Sequence, residues 1–115
     1  MAFKIEFARG DSYERGIGVR EKGEQTPLIA DWDDIYFTVK SNFKNKNYVL
    51  QKRLSDGTIQ DDGNGHYTLF IRPEDTNDLQ FGDYDCDFEF KKDELTKTFT
   101  GALTLTKEVT HSYNE

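Results

Sequence analysis

Apolar and polar residues change places with a period of two along most of this chain, the signature of pleated strands with one buried face. Phe3, Ile5 and Phe7 alternate with Lys4 and Glu6, and Ile35, Phe37 and Val39 alternate with Tyr36, Thr38 and Lys40. Tyr67, Leu69 and Ile71 share one face of a segment; Tyr84, Cys86, Phe88 and Phe90 share a face of another. A last strand carries Phe99, Leu103 and Leu105 on its apolar side and Thr96, Thr98, Thr100, Thr104 and Thr106 on the opposite one. Weaker alternation predicts strands over Tyr13–Arg20 and Tyr48–Leu54. About seven strands with frequent turn signals predict an all-β, antiparallel sandwich.

The turn chemistry agrees. Asn64-Gly65 is a two-residue hairpin signal between Ile59–Asp61 and His66–Ile71. Asp56-Gly57 marks another tight turn, and the polar stretches Lys44–Asn47 and Lys92–Glu94 separate further strands. The one helical signal runs from Pro73 to Leu79 and is closed by Gly82. Proline in the first turn, followed by acids near the positive end of the helix dipole, predicts one or two helical turns. In a sandwich such a turn serves as a crossover between sheets. The domain is predicted to occupy residues 1–106, with 107–115 as a mobile tail because the alternation stops there.

Composition narrows the function. Apolar residues are only 35% of the 115, but nine Phe, six Tyr and one Trp supply large rings for a small core. The formal charge of −7, from 22 acids and 15 bases, disfavours phosphate backbones and anionic membranes as partners. One cysteine leaves no internal disulfide. The first residues carry charge where a secretory signal needs an apolar run, and no stretch is long enough to span a membrane. The expectation is a soluble protein made in a cytoplasm.

Little of the polar chemistry converges. His66 and His111 lie far apart, and neither has zinc-ligand spacing around it. Cys86 sits on the apolar side of its strand and reads as a core residue rather than a reactive thiol. Gly16-Ile17-Gly18 lacks the third glycine and the helix of a phosphate loop. Arg9-Gly10-Asp11 reads as a plain turn. Asp31, Asp33 and Asp34, or Asp61 and Asp62, could offer oxygens to calcium, yet neither set has the spacing of an EF-hand loop. Asp83, Asp85, Asp87 and Glu89 form a comb roughly 7 Å apart on one face of one strand, which reads as a solvated face rather than a glycosidase pair. Trp32 reads as a plug of the core. No nucleophile, base and orienting group come together, so no enzyme, cofactor or metal is expected.

Charge is nevertheless unevenly laid out. Lys40, Lys44, Lys46, Lys52 and Arg53 fall in a stretch without an acid. Glu74, Asp75, Asp78, Asp83, Asp85, Asp87 and Glu89 fall in a stretch without a base. Two such patches on different strands could dock copies of the chain onto each other, or onto a neighbouring protein, by a heterologous contact.

The placed strands carry a family resemblance. Lys4-Ile5-Glu6 leading to Arg9-Gly10-Asp11, then Ile35-Tyr36-Phe37-Thr38-Val39-Lys40, resembles small tailed-phage and prophage proteins with an immunoglobulin-like domain, including the N-terminal domain of baseplate upper proteins. Leu50-Gln51-Lys52, Gly65-His66-Tyr67-Thr68, Pro73-Glu74-Asp75-Thr76 and Gly82 to Asp87 continue it. So do Gly101 to Thr106 and Glu108-Val109-Thr110, while Glu21 to Asp34 depart from the pattern. The resemblance implies an immunoglobulin-like sandwich without catalytic residues. It also implies a structural role in a virion tail, baseplate or neck, made in the bacterial cytoplasm and acting through surface and edge-strand contacts, with other phage proteins or further copies as partners. A carbohydrate-binding or adhesion module, stacking sugars on Tyr13, Trp32, Tyr36 and Tyr48, is the alternative from a different class.

Overall fold

The computed structural model describes residues 3–20, 23–24, 28–29 and 31–107. Its strands are β1 (Phe3–Ala8), β2 (Tyr13–Ile17), β3 (Asp34–Lys40), β4 (Leu50–Arg53), β5 (Ile59–Gly63), β6 (His66–Ile71), β7 (Gly82–Lys92) and β8 (Leu95–Thr106). A single helical turn, α1 (Pro73–Thr76), links β6 to β7. Five strands form one sheet in the order β1-β8-β7-β3-β4, and three form the other in the order β2-β6-β5. This is an all-β sandwich of two sheets, with eight strands among the described residues where about seven were expected.

The arrangement is not purely antiparallel. β1 runs parallel to β8, with Phe3 opposite Gly101 and Ala8 opposite Thr106. The chain then crosses to the other sheet, so its first and last strands share an edge. Close approach there requires glycine: a Cβ on Gly101 would lie 2.4 Å from the Phe3 carbonyl oxygen.

The alternating residues close the core. Ile35, Phe37 and Val39 on β3, Cys86, Phe88 and Phe90 on β7, and Leu103 and Leu105 on β8 face Ile59, Tyr67, Leu69 and Ile71 of the smaller sheet. Trp32 is 4% exposed and packs on Phe90 with ring centroids 5.3 Å apart, so it plugs the core. Its backbone N–H donates to the buried Tyr67 hydroxyl at 2.9 Å, which ties the two sheets together. Burial, with the Asp87 and Asp85 charges, pushes the Cys86 thiol up to about 12, so it stays protonated at neutral pH.

Turns follow their chemistry. Asn64 and Gly65 both take positive φ (56° and 84°), as a tight primed turn between β5 and β6 requires. At the crossover the Tyr84 hydroxyl donates to the Gln80 carbonyl at 2.7 Å, two residues before Cys86. A tyrosine hydroxyl bonded to backbone a few residues upstream has the form of a tyrosine corner.

Two expectations need correction. Phe99 does not line the core; it is 39% exposed, and the first half of β8 runs past Phe3, the first described residue of β1. The strand expected over Tyr13–Arg20 ends at Ile17, although Val19 is still buried and its carbonyl accepts from the Leu28 N–H at 2.7 Å. Residues 108–115, which hold His111 and most of the expected tail, lie outside the described residues, as do Glu21, Lys22 and Gln25 to Pro27.

Candidate interaction surface

Polar residues of alternate register cover the outer face of the five-stranded sheet. Strand pairing sets Lys40 opposite Asp85, Thr38 opposite Asp87, Tyr36 opposite Glu89, and Asp34 opposite Lys91. On the far side of the acid comb, Asp83, Asp87 and Glu89 face Thr104, Thr100 and Thr98. The comb is therefore the centre of a sheet face, bordered by threonines on one flank and by basic and aromatic residues on the other.

The comb is partly occupied by its neighbours. Asp83 accepts a hydrogen bond from the Thr104 hydroxyl at 2.7 Å, and Asp85 accepts one from the Phe43 N–H at 2.9 Å. Glu89 lies 3.5 Å from the Lys91 amine. Burial, helped by the Glu89 charge and opposed by Lys40, raises the Asp87 carboxyl above the ordinary carboxylate range.

The basic and acidic segments do not form two separate patches. Lys52 points inward from β4 and is 7% exposed; its amine meets the Asp75 carboxylate of α1 at 2.6 Å. Arg53 pairs with Asp34 at 3.1 Å, donates to the Tyr36 hydroxyl at 2.8 Å, and covers the Tyr36 ring at 4.4 Å. Lys40 stands beside the comb, and Lys44 and Lys46 sit exposed on the loop between β3 and β4. Glu74 and Asp78 are exposed around the crossover.

The same loop brings apolar surface that alternation could not reveal. Phe43 and Tyr48 are each 55% exposed and Val49 is 38% exposed. Tyr48, Lys46 and Gln51 border an open hollow of about 400 Å³, floored by Tyr36, Thr38, Asp87 and Glu89. The stacking surface imagined for sugars is not assembled: Trp32 is buried, Tyr13 stacks on Phe7 at 4.9 Å, and Arg53 covers Tyr36. Of the four, Tyr48 is the most exposed, while Tyr13 and Tyr36 are half-buried.

The remaining candidates are used locally. Asp31 and Asp33 share the Lys92 amine at 3.5 Å, and Asp33 also accepts the Asp93 N–H. Asp61 caps the Gly63 N–H, and Asp62 takes the amide of Gln60. Among the described residues no three His, Cys, Asp or Glu side chains converge as metal ligands. Arg9 and Gly10 hold the crossover: Arg9 donates to the Leu79 carbonyl and covers the Phe81 ring, while the Gly10 N–H donates to Thr76. No helix among the described residues is long and apolar enough to cross a membrane.

No family model matches the chain. No curated protein matches it either. Among solved structures it is similar to the endo-beta-1,4-mannanase from Thermotoga petrophila, at 13% identity and a TM-score of 0.56. The match covers 91% of this chain and 18% of that one. The likeness is one of fold.

Proposed function

We propose that this domain is a non-enzymatic structural module of a phage or prophage particle, in the tail, baseplate or neck, and that it acts through protein–protein contacts. Its partners on this reading are other particle proteins or further copies of itself, met after synthesis in the bacterial cytoplasm. One observation carries the contact reading: the β3–β4 loop sets Phe43, Tyr48 and Val49 in solvent among Lys44 and Lys46, directly beside the acid comb. Exposed aromatic rings rimmed by charge are the composition of protein contact surfaces. The particle setting rests on the sequence resemblance.

The test is direct. The gene is expressed with an epitope tag in a lysogen, the lytic cycle is induced, and gradient-purified particles are immunoblotted. Tagged chain in the particle band supports the reading; chain confined to the soluble fraction refutes it. Carbohydrate binding is the second reading, favoured by Tyr48 at the rim of the polar hollow. Titration with cell-wall oligosaccharides that perturbs Tyr48, Gln51 and Glu89 would favour it over assembly.

A further inference from the structure

A sandwich exposes strand edges, and each is a template for another strand unless something guards it. Four of the edges here are guarded. β4 is only four residues long and ends in Lys52 and Arg53. β5 carries Asp61 and Asp62 and is broken by a bulge before Gly63. β2 carries Glu14 and Arg15, and β1 carries the Lys4–Glu6 ion pair at 3.4 Å.

The fifth edge lacks these guards. β8 starts at Leu95, but β1 pairs with it only from Gly101 onward. Among the described residues nothing pairs with the outer side of Leu95–Thr100. This stretch has no proline, bulge or acid, and its only charge is Lys97. Three threonines and a phenylalanine give it high strand propensity. Leu95 and Phe99 are left 38% and 39% exposed.

A second feature lies beside that edge. An open hollow of about 210 Å³, of the order of one large apolar side chain, is lined by Phe3, Ile17, Phe88 and Phe99. Among the described residues Arg15 is the only charged one on its wall. Phe99 and Lys97 alternate in register with Gly101 and Leu103, so both face the side of the sheet that bears the core. A strand added along Leu95–Thr100 would turn alternate side chains toward this hollow and toward Lys97. Its other side chains would lie beside Thr96, Thr98 and Thr100.

We propose that Leu95–Thr100 is a strand-acceptor edge for an extended segment of a partner protein. The segment would place an apolar side chain in the Phe3–Phe99 hollow and a carboxylate two residues away, near Lys97 and Arg15. Main-chain hydrogen bonds give such a contact its affinity, and the hollow with Arg15 on its wall, together with Lys97 along the edge, gives it selectivity. This deepens the assembly reading and rests on it.

The probe is the blocked heptapeptide Thr-Glu-Thr-Phe-Thr-Glu-Thr, which reads the same in both directions and so fits either strand polarity. It is titrated into the isotope-labelled full chain, and amide shifts and hydrogen exchange are followed. Expected are a dissociation constant on the order of 0.1–1 mM and new protection confined to 95–100. Shifts should also appear at Arg15 to Gly18. Replacing the peptide's phenylalanine by alanine, or its glutamates by lysines, should weaken binding about tenfold, roughly 1.4 kcal/mol. Phe99→Glu should do the same, and Lys97→Glu, which spares the ring packing, provides a second variant should Phe99→Glu disturb the fold.

Absence of shifts at this edge, or equal binding of the lysine peptide, overturns the proposal. So does protection of 95–100 before peptide is added: rising with chain concentration it means a second copy takes the edge, and independent of concentration it means the chain's own residues do. Tagged chain in purified particles without peptide binding would sink the edge site alone. Peptide binding by a chain absent from particles would sink the assembly reading instead.

Discussion

Lys52 and Asp75 meet where β4 packs under the helical crossover, their side chains 8% and 17% exposed and their charged atoms 2.6 Å apart. Asp75 also accepts the Arg72 N–H at 2.7 Å, closing the first turn of α1. Removing one partner of a buried ion pair leaves the other charge desolvated and costs about 3–5 kcal/mol. Lys52→Met keeps the aliphatic stem and leaves Asp75 its backbone bond and some solvent, so we expect about 3 kcal/mol. Asp75→Ala strands the lysine and also removes the cap, a further loss of roughly 1 kcal/mol. The double variant strands no charge and should be more stable than the sum of the single losses implies, with a coupling of about 2 kcal/mol. Urea unfolding of all four proteins at one pH measures the cycle. At roughly 4 °C per kcal/mol for a domain of this size, Lys52→Met should also melt about 12 °C lower. Because the pair is shielded, the coupling should persist in 1 M salt. Additive single effects, or a coupling that salt abolishes, would show that the pair is solvated and that β4 is not anchored through it.

Gly101→Ala should cost about 1–3 kcal/mol by forcing β1 off β8, seen as lost amide protection over Phe3–Ala8; unchanged protection there would refute the close approach. Trp32→Ala should destabilise by about 3–5 kcal/mol, whereas Trp32→Phe should cost far less, since the buried indole N–H has no partner among the described residues. A Trp32→Phe loss as large as that of Trp32→Ala would point to an indole bond. Acid should unfold the domain through Asp34: burial pushes its carboxyl up, but hydrogen bonds from the Arg53 side chain and from the Ser55 and Ile35 N–H groups outweigh it. The Thr58 hydroxyl and N–H likewise hold Asp56 below the usual range. A depressed folded-state pKa gives stability that is present above the ordinary carboxylate value of about 3.9 and lost as pH falls through the folded value. Asp34→Asn should flatten that fall in a pH series of melts, and an unaltered slope would refute it. If Lys40, Lys44 and Lys46 dock on the acid comb of another copy, light scattering should show self-association at low ionic strength that fades toward 0.5 M salt. A strict monomer at low salt would leave only foreign partners.

Alternation alone marked nearly every core position of β3, β6 and β7, because a pleated strand with one wet face writes its orientation into every second residue. Asn64-Gly65 and Pro73-Glu74-Asp75 fixed a hairpin and the crossover by local backbone chemistry, which needs no tertiary context. Net charge and the lone cysteine were equally local facts. Sequence could not say which charges are spent inside the fold. Lys52 and Asp75 are 23 positions apart, and only sheet order and the crossover bring them together. The comb was legible, but its threonine and basic flanks depend on which strands lie beside β7. Phe99 was misplaced for the same reason: alternation reports which way a side chain points, not whether a neighbouring strand extends far enough to cover it. Strand pairing, a long-range property, decided that the described part of β1 begins opposite Gly101 and leaves Leu95–Thr100 without a partner among the described residues.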